Sequence, residues 1–578
     1  MASKHGAAIT RRQVVTSGVS LGAMAIATFG PSPGFSWAGK RRDTRPNLLV
    51  IMGDDIGYSD LGAYGGDVDT PNLDALAARS VRFDNFYNMS RCCPSRASLL
   101  TGRYPHRVNM AGNGTSLSLD TPTVAEELRG GGYATSMIGK WHLTAAVELP
   151  DPAEQLKWLN HQAYFDRDFG DRRTYPAARG FDYHWGIIWG VADYFDPFSL
   201  VENFTPVRSV PKGFYLTDAI SDHAVAQVGM LARDARPFMM YLAYTAAHWP
   251  LMAPEPVIEK YLPRFTEGWE AMRQRRYRRQ VASGLVDPKI NPLPPISEGY
   301  AGNSEQAWRD LTADQRSKQV RKMATHAAMI EIMDRGIGRV VDALKRSGAY
   351  DNTVVIFLID NGASPEIMVR PGYDRPSQTR DGRKIGYGEY PDGIGSELNE
   401  TGIGDHWASA ANTPFRYWKA ESYQGGMHTP FLISWPAKLT GKPGKIDRAA
   451  HIIDVAPTLL ELAGVTPSGK GAPMDGQSFA AALTGGTLSA PNPYFFEHYG
   501  ARAIVDGRWK LVSLAPQGKE KGYRNWALYD LATDRTETTD LASAHSHIVA
   551  RLEKQWFDWA RSAGVPLRTQ SASEAAGE

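Results

Sequence analysis

Cysteine is nearly absent from this chain: 578 residues contain two, and they stand side by side in "MSRCCPSRASLLTGRYPHR" as Cys92 and Cys93. Adjacent cysteines can hardly close an ordinary disulfide, and two sulfurs alone make a poor metal site. A disulfide framework is therefore excluded as the source of stability. An excess of charge is absent too. Lys plus Arg number 64 against 62 Asp plus Glu, a formal net charge of +2, so bulk charge points to neither nucleic acid nor a polybasic anchor. Any anion recognition must be local. There is no internal repeat and no low-complexity tract. With 42% hydrophobic and 22% charged residues the balance is that of a soluble globular protein, and no membrane span is expected in the mature chain. The 37 prolines and 56 glycines predict many ordered loops, and the length predicts about two to four domains.

The first residues do not read as fold. "ITRRQVVTSGVSLGAMAIATFG" sets Arg11 and Arg12 before a short, diluted apolar run, Val14 to Phe29, and "SWA" offers small residues for cleavage after Ala38. This is a twin-arginine export pattern, which implies the twin-arginine translocase as a partner, a periplasmic or secreted bacterial location, and no stable membrane anchor. The alternatives are a disordered basic tail or an anchor.

From Asn47 the chain reads "NLLVIMGDDIGYSD", an unbroken apolar run closed by two aspartates; "FMMYLAYTAAHWP" (238–250), "NTVVIFLIDNGAS" (352–364) and "TPFLISWP" (429–436) repeat the form. Runs without alternation suit strands buried on both faces. Predicted helices lie between them: "PNLDALAARS" after Thr70, "TVAEELRGGG", and an amphipathic stretch from about Ser317 to Arg346. The pattern predicts an α/β sandwich on a mostly parallel sheet. Asp54, Asp55, His248, Asp360 and Asn361 each follow a predicted strand, where ligands gather in open α/β sheets. Three aspartates and an asparagine would form a hard, oxygen-only set, favouring Ca²⁺ or Mg²⁺ over Zn²⁺. Each segment taken alone reads as a helix cap or turn rather than as a metal ligand.

Around Cys92 the spacing is specific. Cys92, Pro94, Ser95, Arg96, Leu100, Thr101, Gly102 and Arg103 spell C-x-P-S-R-x-x-x-L-T-G-R. This resembles the signature of the type I, formylglycine-dependent sulfatases, close to bacterial arylsulfatases, in the alkaline phosphatase-like superfamily. The resemblance implies that a maturation enzyme oxidises Cys92 to formylglycine, leaving Cys93 as the variable position after it. The competing readings are an activated free thiol and an inert buried cysteine. Pro94 suits a first helical turn, which would set residue 92 near a helix N-terminus where N–H groups favour an anion. Further similarity lies in "GKWHL" (139–143), "TAAHWP", "LIDNGAS" and "NTPFRYWKAESYQGGMHTPFLISWP" (412–436).

By that resemblance Asp54, Asp55, Asp360 and Asn361, with oxygens of the residue 92 derivative, hold Ca²⁺, Mg²⁺ being the less favoured ion. Arg96 bonds the diol or sulfate; Lys140 and Lys419 clamp sulfate oxygens. Asp360 accepts the proton of the attacking hydroxyl and His142 that of the second. His248, with Lys419, serves the leaving oxygen and contacts substrate. His428 reads as packing rather than a substrate contact. The fold implied is a catalytic domain over 39–490 and a C-terminal subdomain over 491–578. That subdomain has a small antiparallel sheet with a hairpin turning at Asp506-Gly507 and a closing helix from about Ser546 to Ala563. The stretches 251–319 and 366–409 match only loosely and are read as substrate walls. Within the first, "RQRRYRRQ" (273–280) reads as a solvated helix face rather than a contact to a polyanion. The activity implied is hydrolysis of an aryl, alkyl or carbohydrate sulfate ester, with small aryl sulfates as the expected assay substrate. Two alternatives stay open: a phosphonate monoester or phosphodiester hydrolase with the same nucleophile, and an inactive sulfate-ester binding protein.

Overall fold

The computed structural model describes residues 43–567 except 160–166, 301–302, 373–374, 440–443, 485 and 517–521. The export signal expected over residues 1–38 lies outside the described residues. From Asp43 onward the chain clusters as one unit.

Five strands carry the centre: β1 (Asn47–Gly53), β2 (Ala134–Gly139), β3 (Phe238–Ala243), β4 (Thr353–Ile359) and β5 (Phe431–Ser434). In space they run β5-β4-β1-β3-β2 within a ten-stranded sheet. β4, β1, β3 and β2 are parallel, with Val50 opposite Tyr241 and Ile356; β5 runs antiparallel to β4. The unbroken apolar runs follow from this placement. Leu48, Val50 and Met52 enter one hydrophobic cluster and Leu49 and Ile51 the other, so successive residues of β1 pack opposite layers. Each such side chain contributes about 1.5–3 kcal/mol by burial.

Three helices matter for the site: α1 (Cys92–Thr101), α2 (Trp269–Ala282) and α3 (Ala313–Arg346). A capping box between Thr312 and Gln315 starts α3, which reaches Arg346 as its periodicity predicts. Among the described residues no helix is long and apolar enough to cross a membrane.

The C-terminal sheet is antiparallel and four-stranded: Tyr494–His498, Ala501–Asp506, Trp509–Ser513 and Ala527–Asp530. Asp506 pairs with Trp509, so the two-residue loop is Gly507-Arg508, one residue later than expected. Gly507 takes the positive φ of +60° that the tight turn requires. The closing helix spans Ser546–Ala563 and buries Leu552, Trp556, Trp559 and Ala560 on one stripe. Phe496 and Ile504 of this sheet share a cluster with Cys92, so the two sheets share one core.

The solvated reading of 273–280 holds for Gln274, Arg278 and Arg279, which are exposed, and fails for the other face of the helix. Arg276 on α2 is fully buried, bonded to Asp60 at 2.7 Å and Asp67 at 3.0 Å. Arg275 and Arg279 also pair with Asp67, and buried Arg273 donates to the Pro294 carbonyl. The physical reason is a pair of aspartates more than 200 residues upstream, which local composition does not reveal. Asp60 also accepts from the Gly57 N–H at 2.8 Å and meets His326 at 2.9 Å. The arginine stretch therefore props the loop that carries Asp54 and Asp55.

Candidate active site

Asp54 and Asp55 follow β1, Lys140 follows β2, His248 lies past β3, and Asp360 and Asn361 follow β4. Four neighbouring parallel strands thus deliver six predicted residues to one edge of the sheet. α1 brings the rest. Its N-cap Arg91 is extended and Cys92 is its first helical residue, with Pro94 in the first turn as expected. Every residue of α1 is buried.

Arg96, one turn on, reaches Asp360 at 2.9 Å and Asp54 at 3.3 Å and donates to the Lys140 carbonyl at 3.1 Å. Lys140 Nζ meets Asp54 Oδ2 at 2.5 Å. Asn361 donates to Asp55 Oδ1 at 2.7 Å, and Lys419 to Asp55 Oδ2 at 2.8 Å. Lys419 lies 3.2 Å from His248 Nε2, and His248 Nδ1 is 2.6 Å from the Trp249 carbonyl. A carbonyl only accepts, so Nδ1 is the donor and, in the neutral ring, Nε2 takes a hydrogen from Lys419. His142, Cys92 and Cys93 place a nitrogen and two sulfurs within 4.8 Å of one another. Asp55 and His142 hold φ of 58° and 60°, left-handed backbone that costs on the order of 1–3 kcal/mol each and concentrates at functional sites.

Burial and the neighbouring Asp360 push the Asp54 carboxyl up to about 7, against Lys140 and Arg96. Burial likewise raises Asp360, with Arg96 opposing. Against burial, Lys419 and His248 hold Asp55 below the usual carboxylate range. Asp54, Asp55 and Asp360 are matched one for one by Arg96, Lys140 and Lys419, all buried. Asp54 Oδ1 and Asn361 Oδ1 are buried without a hydrogen-bond partner, and Asp54, Asp55 and His248 each place a ligand atom within 4.8 Å of the others. Two orphaned oxygens in an acid-rich, water-excluded cluster fit a hard divalent cation.

The adjacent Cys93 thiol holds the Cys92 thiol well below its usual range, aided by His142 and Lys140 and opposed by burial. Burial pushes Cys93 up, and Cys93 also donates to Asn113 at 3.0 Å. Cys93 is therefore part of the site's wall rather than an indifferent neighbour. Burial lowers both His142 and His248 to about 4. His428 packs as expected, its ring stacked on Phe415 with centroids 4.5 Å apart.

Two residues escaped the sequence reading. Glu366 meets Lys419 and Arg91 at 3.1 Å each and accepts from Trp249 Nε1 at 3.0 Å and Ser364 Oγ at 2.9 Å. Against burial, Arg91 and Lys419 hold it well below the usual carboxylate range. Its position six residues past Asp360, and the place of Arg91 beside Cys92, were the available signals.

The chain matches the family model described as Sulfatase over residues 46–465, and the one described as N-sulphoglucosamine sulphohydrolase, C-terminal, over 416–561. An uncharacterized sulfatase of Schizosaccharomyces pombe is 30% identical over 569 residues, covering 90% of this chain and 94% of that protein. The arylsulfatase of Klebsiella aerogenes is 31% identical over 448 residues, covering 73% and 88%. The solved structure of Ps i-CgsB in complex with k-i-k-neocarrahexaose shares the fold, with a TM-score of 0.60 at 22% identity over 90% of this chain and 98% of that one.

Proposed function

The chain belongs to the sulfatase family and is a sulfuric ester hydrolase, and from that premise we propose that it cleaves the S–O bond of a sulfate monoester through a formylglycine made from Cys92, beside Ca²⁺ held by Asp54, Asp55, Asp360 and Asn361. The observation that carries this is the convergence of Cys92 with three buried aspartates whose cluster holds two oxygens without partners. When present, the hydrated aldehyde supplies an attacking hydroxyl and the cation draws charge from the sulfate oxygens.

The chain's own residues do the rest. Arg96 fixes Asp54 and Asp360 through one guanidinium while its helix sets residue 92 at a first turn. Lys140 and Lys419 present ammonium groups to the anion from opposite aspartates. Asp360 accepts the proton of the attacking hydroxyl, and His142, beside residue 92, accepts the proton released as sulfate is expelled. Because the proton of neutral His248 sits on Nδ1, Lys419 is the proton-bearing group and His248 Nε2 the relay towards the leaving oxygen.

Peptide mass spectrometry of protein from its own host tests the nucleophile. Residue 92 should be about 18 Da lighter than cysteine, as thiol oxidation with exchange of S for O requires. Cys92→Ala should abolish sulfate release; release that survives it, or an active protein carrying an intact thiol, overturns the assignment.

A further inference from the structure

Cys93 takes no part in the chemistry derived above, yet it is as deeply buried as Cys92, each residue being 1% exposed. The two open α1, where successive residues project about 100° apart, so a group that meets both sulfurs must come from elsewhere in the chain. His142 does so. One of its ring nitrogens and the two sulfurs lie within 4.8 Å of one another, and all three residues are buried. Ligand atoms on a tetrahedral ion with bonds of about 2.0–2.3 Å stand roughly 3.3–3.8 Å apart, so closure around an ion asks each side chain to move by about 1 Å or less. Two sulfurs alone make a poor metal site; the imidazole supplies the third ligand that changes this.

The ligands are held where they stand. His142 follows β2 in left-handed backbone, φ 60°, and its N–H donates to the Ile188 carbonyl at 3.0 Å. A Cβ on Gly190 would fall 2.2 Å from the imidazole, so the ring lies against bare backbone, and Trp189 meets it edge-on with centroids 5.7 Å apart. His142 Nδ1 is buried without a hydrogen-bond partner, a cost that a protein interior rarely bears unless the group serves a ligand. On the other side Cys93 Sγ donates to Asn113 Oδ1 at 3.0 Å, and the Asn113 N–H donates to the Tyr499 hydroxyl at 3.2 Å. Turned over, the same side-chain amide donates its NH₂ to a Cys93 thiolate, the outer partner that a metal-bound sulfur needs.

We propose that, as long as residue 92 is a cysteine, Cys92, Cys93 and His142 bind one Zn²⁺ whose fourth position stays open, and that conversion of Cys92 abolishes the site. Binding releases the two thiol protons to solvent. Two sulfurs and an imidazole form a softer set than the oxygens of Asp54, Asp55, Asp360 and Asn361, so one pocket offers zinc and calcium different halves. Cys93 then has a consequence of its own: it makes the unconverted chain a zinc protein, while the converted chain keeps one sulfur and loses the affinity. Only that loss rests on the formylglycine reading; the zinc site itself does not.

The test uses full-length protein in which peptide mass spectrometry finds cysteine at residue 92. It is stripped with chelator, kept reduced in calcium buffer, titrated with Zn²⁺ and measured by X-ray absorption. One equivalent should bind, with two sulfurs at about 2.3 Å and one nitrogen at about 2.0–2.1 Å. Cys93→Ser should weaken binding by more than about 100-fold, beyond the 10–100-fold that loss of an outer partner brings. Fully converted protein should show no sulfur shell. A shell with one sulfur or none, or no binding at micromolar zinc, overturns the proposal, and because this is read on the parent chain it stands even if the variant fails to fold. Sulfur ligation that persists in converted protein also overturns it. If the native host yields no converted chain, the formylglycine reading fails, and the zinc shell of the unconverted chain still decides the site.

Discussion

Glu366→Gln tests whether Lys419 is placed by a carboxylate that no strand-end motif announces. The substitution keeps the shape and an acceptor oxygen for Trp249 or Ser364 but removes the charge that faces Lys419 and Arg91 at 3.1 Å each. Leaving a buried cation uncompensated costs about 3–5 kcal/mol; because Lys419 keeps Asp55 at 2.8 Å, the lower end of that range applies. The catalytic effect should follow geometry. Lys419 is stretched between Asp55 and Glu366 with His248 Nε2 at 3.2 Å, so loss of one side lets the ammonium fall towards Asp55 and away from the sulfate position. Removing an outer partner of this kind lowers activity on the order of 10–100-fold. We expect kcat to carry most of that loss and inhibition by free sulfate to weaken with it, which a purely structural role would not produce. The assays are steady-state kinetics on an aryl sulfate, sulfate inhibition, and urea unfolding of the same preparations. Kinetic constants within about twofold of the parent, in a variant as stable as the parent, would refute the positioning argument.

Exhaustive chelation should lower both Tm and activity, with calcium restoring them better than magnesium, since a ligand at 100 times its Kd stabilises by about 2.7 kcal/mol; an unchanged melt would remove the cation from the argument. Arg276→Ala should destabilise by about 3–5 kcal/mol through the stranded Asp60 and Asp67, and a variant as stable as the parent would show that the buried network does not brace the loop. His184, His428 and His451 are lowered to about 3 by burial, so the folded state binds fewer protons than the unfolded one between that value and about 6.5. Their contribution is fully present above about 6.5 and is lost as pH falls towards 3, so Tm should decline through that window and His428→Phe should flatten part of the decline; a flat Tm from neutral pH to 5 would contradict it.

The parts of the site legible in sequence share one property: each lies directly after a strand or inside a contiguous motif. β1 and β4 announce themselves because burial on two faces demands unbroken apolar runs, and the polar residue that ends such a run marks the sheet's carboxyl edge. Asp54, Asp55, Asp360 and Asn361 were found this way. Cys92 and Arg96 are legible through the resemblance of their contiguous motif to the sulfatase signature, and the helical turn that holds them keeps that motif's spacing local.

What sequence could not show depends on partners distant along the chain. A run of arginines is read as solvated because most such runs are, and only the fold sets Asp60 and Asp67 beneath α2. Glu366 has the same character in reverse: a lone acid in a loosely matching loop becomes central once Arg91 and Lys419 arrive from 275 and 53 residues away along the chain. Both cases follow one physical rule. A buried charge is tolerable only when its counter-charge is also buried, so a charge's burial is a property of the pair and cannot be assigned to either residue by itself. Searching a sequence for single functional residues therefore recovers the groups held by local geometry, while the groups that hold those in place emerge only when each buried charge is traced to its partner. On that reasoning Glu366 and Arg276, rather than further residues at strand ends, are the substitutions that distinguish a correctly built site from one whose parts are merely present.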